Sequence, residues 1–177
     1  MVQYAFVIKN FSPLDFKVKI LHSTYGKITC AYPKDSQAKL LTIGSLIVCN
    51  IELIGRRYSF SYLDIIYSPM TQDLEKLEFF HQIMLICLRL LPDNVQVDDI
   101  FIFLMDVYKN NIILTLYNKK SILLRLFFLS EIFEQDVQIY KLAMQDPFIE
   151  GLSDSRLIDK YLDIGFHILY QQKNLEN

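Results

Sequence analysis

The sequence is poor in the residues that interrupt or cross-link a chain. Its 177 residues include 5 glycines, 5 prolines, 3 cysteines and no tryptophan. So little glycine and proline excludes a collagen-like or low-complexity chain. The hydrophobic fraction of 52% provides enough apolar surface for a packed core, which excludes a disordered chain. The length fits one ordinary domain or two small ones.

Cysteine and histidine are scarce and dispersed. Cys30, Cys49 and Cys87 stand singly among apolar residues, and the three histidines are equally isolated. Zinc ligation needs closely spaced pairs of such residues, which this sequence lacks. We therefore predict no disulfide, metal or cofactor, and we interpret the cysteines as small core residues.

Long hydrophobic runs are also missing. The longest stretch without a charged residue is residues 40–51, which is twelve residues long. As a helix it would cover about 18 Å of a hydrocarbon core that is about 30 Å thick. The first residues contain no basic segment ahead of an apolar run, as a secretory signal would. We predict a cytoplasmic protein with no membrane partner.

Sequence motifs of catalysis are absent. We find no glycine-rich phosphate loop, nucleophile elbow, zinc-protease motif or calcium loop. The acid pair Asp98-Asp99 suits a helix start, where the helix dipole favours negative charge. We predict that the protein is not an enzyme. A small-molecule enzyme is an alternative that ranks after the two binding functions given below. It would require a pocket that contains acids with strongly shifted pKa values.

The charge is distributed unevenly along the chain. Residues 1–70 contain eight basic and four acidic residues, and the remainder contains ten basic and sixteen acidic residues. A basic front half and an acidic back half indicate two regions that meet different partners. Chance variation in solvated faces is the alternative explanation.

The hydrophobic period changes near residue 70, from two to the spacing of a helix. Before that point we predict five short strands, joined by tight turns with one longer excursion after the third: residues 2–9, 16–23, 27–32, 46–53 and 58–67. Five such strands favour a small closed barrel of the oligonucleotide/oligosaccharide-binding (OB) type, because closure removes exposed strand edges. An open sheet packed against the helices is the main competitor.

After residue 70 the pattern predicts helices over residues 74–91, 97–109, 121–133 and 137–145, and a last helix that Ser153 caps. Residues 112–117 are ambiguous, since their β-branched and aromatic content would suit a strand. The predicted fold class is α+β. We expect an OB barrel over residues 1–69 and an all-α helical domain over residues 70–177.

Basic and aromatic residues are interleaved in the predicted barrel. Single-stranded nucleic acid binds such surfaces by phosphate neutralisation and by base stacking on aromatic rings. The alternative is that the aromatic rings fill the barrel and the lysines lie on ordinary solvated faces. The candidate nucleic-acid-binding residues are Lys17, Lys19, Lys27, Lys34, Lys39, Arg56, Arg57, Tyr25 and Tyr58.

Several segments of the chain follow one another in a distinctive order. Residues 15–28 contain an acidic residue, an apolar strand and then Gly26-Lys27 leading into the next strand. Further segments follow at residues 36–41, 46–53, 62–66, 73–77, 124–129 and 166–169. The first segment resembles the start of the RecO family of DNA repair proteins, and the others are similar to later elements of that family in the same order.

The resemblance implies an N-terminal OB barrel, a helical C-terminal domain and a recombination mediator that binds and anneals single-stranded DNA. It also implies two protein partners, a RecR-like protein and the acidic, apolar C-terminal tail of single-strand DNA-binding protein. Arg125 is a candidate for holding a partner's terminal carboxylate in an apolar groove. Its alternative role is that of a snorkelling or ion-paired helix residue.

Three features depart from the family pattern. The cysteine-rich zinc module is missing, residues 31–36 replace a Gly-Lys/Arg-rich loop, and Glu131 stands where the helix is usually apolar. Together with the acidic helical half, the altered loop motivates a second hypothesis. In it, the chain is a diverged scaffold that keeps the OB barrel for protein contacts and no longer binds DNA.

Overall fold

Strands precede helices along the chain in the computed structural model, with the change of period near residue 70 separating them. The predicted α+β architecture is confirmed. The structure describes residues 3–12, 14–33, 40–69, 74–110, 115–133, 137–145, 147 and 155–171.

The five strands close into a barrel in the order β1-β2-β3-β5-β4. Neighbouring strands are antiparallel except β3 and β5, which run parallel where Cys30 pairs with Tyr58. This closed order is that of an OB-like barrel, so the open-sheet alternative is wrong. The strands are β1 (Gln3–Asn10), β2 (Lys17–His22), β3 (Gly26–Ala31), β4 (Leu46–Ile54) and β5 (Arg57–Tyr67).

β1 is buried on both faces. Ala5 and Val7 belong to the hydrophobic cluster of the barrel, together with residues from the other four strands. Phe6, on the opposite face, is also fully buried, and its ring centroid lies 5.2 Å from that of Phe101. The barrel therefore has an interior core and a second apolar layer outside β1.

A short loop returns the chain to the barrel after helix α1 (Leu74–Leu90). We call residues 93–96 the strap. The Asn94 N–H donates to the carbonyl of Lys27 at 2.9 Å. Beneath the strap, Gly26 has a φ of +68°, and a Cβ there would lie 1.7 Å from the carbonyl oxygen of Val95. Only glycine permits both this backbone conformation and this approach.

The chain divides into two compact units, Met1–Phe101 and Ile102–Asn177. The predicted domain boundary at residues 69 and 70 marks the change from strand to helix, whereas this division places α1 and the strap with the barrel. The remaining helices are α2 (Asp98–Lys109), α3 (Leu116–Leu129), α4 (Val137–Ala143) and α5 (Ser155–Gln171). Ser153, the predicted cap of the last helix, lies outside the described residues.

Helix α3 begins and ends earlier than the predicted range of residues 121–133. It begins at Leu116 because Thr115 and Asn118 form a capping box, each side chain accepting from the other's backbone N–H. It ends at Leu129, and Glu131 follows with a φ of +58°. A left-handed residue just past the last turn terminates a helix.

In the second unit α5 approaches α3 closely at Gly165. A Cβ on Gly165 would lie 2.9 Å from the ring of Phe127, which is fully buried. A salt bridge of 2.6 Å between Lys120 and Asp159 also joins these two helices. Across the ranges that the structure describes, none of the helices combines the length and apolarity needed to traverse a bilayer.

Candidate nucleic-acid interface

A cleft of about 330 Å³ opens on the first unit. It lies beside the start of β2, along β3, at the β4–β5 turn and against the strap. Among the described residues, four cationic side chains and one carboxylate line it, so their combined field is positive. The polar and aromatic lining residues are Lys17, Lys27, Thr29, Arg56, Arg57, Tyr58, Asp93 and Asn94.

Strand pairing explains how distant residues reach this cleft. Val18 is buried in the barrel core, so its neighbours Lys17 and Lys19 lie on the outer face of β2. Lys17 pairs with Ala31 and Lys19 with Thr29 on β3. β3 also pairs with β5, where Ala31 lies beside Ser59, so the outer face of β2 and β3 continues to Arg57, two residues before Ser59. Tyr58 pairs with the core residue Cys30 and packs against the barrel core, and it borders the cleft from that side.

The β4–β5 turn presents two guanidinium groups. Gly55 has a φ of +65°, a conformation that lets the chain reverse between Ile54 and Arg57. Arg56 and Arg57 are exposed, and neither forms an ion pair with a residue in the described ranges. The same holds for Lys17. No described residue therefore competes with an external anion for these three cations.

Lys19 and Lys27 have a partner inside the protein. Both ammonium groups contact Asp93 of the strap, at 3.2 Å for Lys19 and 3.3 Å for Lys27. Lys27 is buried and also donates to the carbonyl of Leu88 at 2.8 Å. Partial burial acts to raise the pKa of Asp93, but the attraction of Lys27 and the hydrogen bond from Lys19 outweigh it, so this pKa lies below its ordinary value.

Two tyrosines predicted to stack on bases lie next to each other. The ring centroids of Tyr25 and Tyr58 are 5.4 Å apart, and Tyr25 lies 4.9 Å from the ring of His22. Tyr25 is 37% exposed, and Tyr58 is half-buried at the cleft. The pair extends the cationic cleft with an aromatic surface.

His22 holds the β2–β3 turn from within. It is 1% exposed, and its Nδ1 accepts from the N–H groups of Thr24 at 3.1 Å and Tyr25 at 3.3 Å. An Nδ1 that accepts places the proton of the neutral ring on Nε2. Burial lowers the pKa of His22 to about 4, so the ring is neutral at physiological pH.

The other predicted site residues lie elsewhere. Lys34 and Lys39 lie outside the described residues. Arg125 belongs to the second unit, on α3, with its guanidinium carbon 4.8 Å from the ring centroid of Phe103. Its Nε is buried and has no hydrogen-bond partner in the described part of the chain, and neither does the Oγ of Ser121 one turn earlier.

Asp93 and Asn94 are site residues that the sequence interpretation missed. Asp93 is 74 residues from Lys19, and its local sequence shows only a loop after Pro92. No spacing rule connects such a loop to a distant strand. The one local sign that Asp93 belongs to a site was its place in a loop, because binding residues often lie on loops.

The cysteines occupy the interior. Cys30, Cys49 and Cys87 are buried and form no disulfide. Burial raises the pKa of the Cys49 and Cys87 thiols to about 12, so both are protonated near neutral pH. Within the described residues, no three His, Cys, Asp or Glu side chains are grouped in a way that could hold a metal ion.

Comparison with known proteins adds no assignment. No protein-family model matches the chain, and no curated protein sequence matches it.

Proposed function

We propose that the protein binds single-stranded DNA in the cationic cleft of its OB-like barrel, as a non-enzymatic mediator of DNA repair and recombination similar to RecO. The observation that carries the proposal is the convergence of Lys17, Arg56 and Arg57 on one cleft beside Tyr58. Unpaired cations bind backbone phosphates, and a neighbouring ring stacks with a base without reading its sequence.

The test is a fluorescence-anisotropy titration of a labelled oligothymidylate at two salt concentrations. If the cleft contacts roughly four phosphates, log Kd should rise with log salt at a slope of about three, since single strands give about 0.7 per phosphate. Lys17→Met and Arg57→Gln should each lower that slope by about 0.7. Lys109→Gln removes an exposed cation of α2 that does not line the cleft, and it serves as the matched control. Binding that is independent of salt would contradict the proposal.

The proposed partners are a RecR-like protein and the C-terminal tail of single-strand DNA-binding protein. For the tail, Arg125 is the proposed contact, because its buried Nε has no partner among the described residues while its guanidinium lies over Phe103. An acidic, apolar peptide with a free C-terminus should bind, and Arg125→Ala should weaken it about tenfold or more. The same peptide with an amidated C-terminus is the control, and equal binding of both peptides would exclude carboxylate recognition.

One observation favours the alternative function, a protein-interaction scaffold. Asp93 neutralises two of the cations that the sequence assigned to DNA, Lys19 and Lys27. The scaffold hypothesis predicts capture of a recombination protein from nuclease-treated lysate together with no shift of a labelled oligonucleotide. A salt-dependent shift in the titration above would decide against it.

A further inference from the structure

Asp93 is the one carboxylate among the described residues that line the cleft. Its Oδ1 lies 3.3 Å from the ammonium groups of both Lys19 and Lys27, and its Oδ2 lies 3.2 Å from that of Lys19. The side chain of Lys27 is only 8% exposed, so this pair is less screened by solvent than a surface salt bridge. The carboxylate side chain itself is 52% exposed and faces the cleft.

A carboxylate held between two ammonium groups resembles a bound phosphodiester. Both groups carry one negative charge and offer two acceptor oxygens to the same donors. Lys27 lines the cleft, and Lys19, which is not a lining residue, contacts the same carboxylate. A phosphate that took the position of the Asp93 carboxylate would therefore compete with it for both ammonium groups.

The strap itself does not have to move for that exchange. Its backbone is fixed by the hydrogen bond from Asn94 to Lys27 and by the close packing of Val95 on Gly26. Only the half-exposed carboxylate has to rotate away from the ammonium groups.

We propose that Asp93 is an internal competitor for nucleic-acid phosphate, which occupies Lys19 and Lys27 in the free protein and thereby sets the affinity of the cleft. This inference rests on the proposed function. It divides the basic residues into two groups. Lys17, Arg56 and Arg57 contact the phosphates of the nucleic acid directly. Lys19 and Lys27 contact phosphate only after it has replaced the carboxylate of Asp93.

Asp93→Asn tests the competition, because asparagine keeps an acceptor oxygen and removes the charge. With the labelled oligothymidylate at low salt, this variant should bind about fivefold more tightly than the wild type. Its salt slope should be steeper by about 0.7 to 1.4, corresponding to one or two added phosphate contacts. Asp99→Asn removes the same charge from the start of α2, outside the cleft, and should change affinity by less than about twofold.

A second comparison uses variants of the lysines, first with Asp93 present and then without it. Lys19→Met should weaken wild-type binding by only about twofold. Lys17→Met removes a cation that has no ion-pair partner among the described residues, and it should weaken binding about fivefold. In the Asp93→Asn background, Lys19→Met should cost about fivefold as well. If Asp93→Asn does not fold, as judged by thermal unfolding, equal losses for Lys19→Met and Lys17→Met in the wild type would overturn the inference.

The outcomes separate this inference from the proposed function. Absence of binding by the wild type and every variant would overturn both. Salt-dependent binding by the wild type with indistinguishable Asp93→Asn and Asp99→Asn would overturn only the competition. Binding that appears in Asp93→Asn alone would support the competition and would restrict DNA binding to the released cleft.

Discussion

Gly26 in the β2–β3 turn and Gly55 in the β4–β5 turn have almost the same φ, +68° and +65°, but opposite surroundings. A Cβ on Gly26 would collide with the strap, whereas a Cβ on Gly55 would have no described residue within 4 Å beyond its chain neighbours. The comparison shows that one side of the cleft is anchored by tertiary contacts and the other is a free hairpin. The cations follow the same division, since Lys19 and Lys27 are paired beside the anchored turn while Arg56 and Arg57 are unpaired among the described residues at the free one.

Alanine at the two glycines should give the largest contrast. Gly55→Ala should lower the free energy of unfolding by about 1–2 kcal/mol, the usual cost of a left-handed non-glycine residue. Gly26→Ala adds a contact of 1.7 Å with the Val95 carbonyl, so the strap must leave its position and the loss should exceed about 4 kcal/mol. Urea unfolding measures both. Similar losses for the two variants would show that the strap yields easily and that the anchored turn is not anchored.

Acid should lower the free energy of unfolding through His22, which lies in the anchored turn between β2 and β3. The pKa of His22 is about 4 in the folded protein and about 6.5 when unfolded, so the unfolded state binds the proton more readily. The contribution of His22 to the free energy of unfolding is complete above pH 6.5. It is lost as the pH falls towards 4, and the total loss is about 3 kcal/mol. Protonation would also turn Nδ1 from an acceptor into a donor that faces two N–H groups.

The free energy of unfolding in urea, measured at intervals between pH 7 and pH 4, checks this expectation. His22→Asn keeps an acceptor near the Nδ1 position and should flatten the profile. His81→Gln changes an exposed histidine and should leave the profile as in the wild type. The low pKa of Asp93 places its own loss of stability at lower pH, so the two effects separate. A wild-type profile that is flat from pH 6.5 to 4.5 would contradict the assignment to His22.

The strands and helices themselves were easier to predict from the sequence than the residues at which they begin and end. Alternation and turn residues located all five strands and the tight turns before β3 and β5, because these signals are local. The start of α3 was placed five residues late, since the capping box of Thr115 and Asn118 lies beside β-branched residues that suit a strand. Local signals thus predicted the elements well and their ends less well.

The residues of the cleft were also predicted only in part. The sequence predicted Lys17, Arg56, Arg57 and Tyr58, which the barrel brings to one cleft through pairing between neighbouring strands. It also predicted Lys19 and Lys27 but not their partner, because Asp93 reaches them only through the tertiary position of the strap. A positive patch can be read from a sequence, whereas its internal counterion depends on long-range packing.

The smallest expected effect concerns the cations themselves. Lys27→Met should lower the free energy of unfolding by about 2 kcal/mol, because it leaves the Leu88 carbonyl without this donor and removes one of the two ammonium groups at Asp93. Arg56→Met, on the exposed turn, should change it by less than about 0.5 kcal/mol. Oligonucleotide binding should be weakened more by Arg56→Met than by Lys27→Met, because Arg56 has no ion-pair partner among the described residues. Urea unfolding and anisotropy on the same two variants measure both quantities. If Lys27→Met weakens binding more than Arg56→Met while leaving stability unchanged, the division of the cleft into an anchored and a free side is wrong.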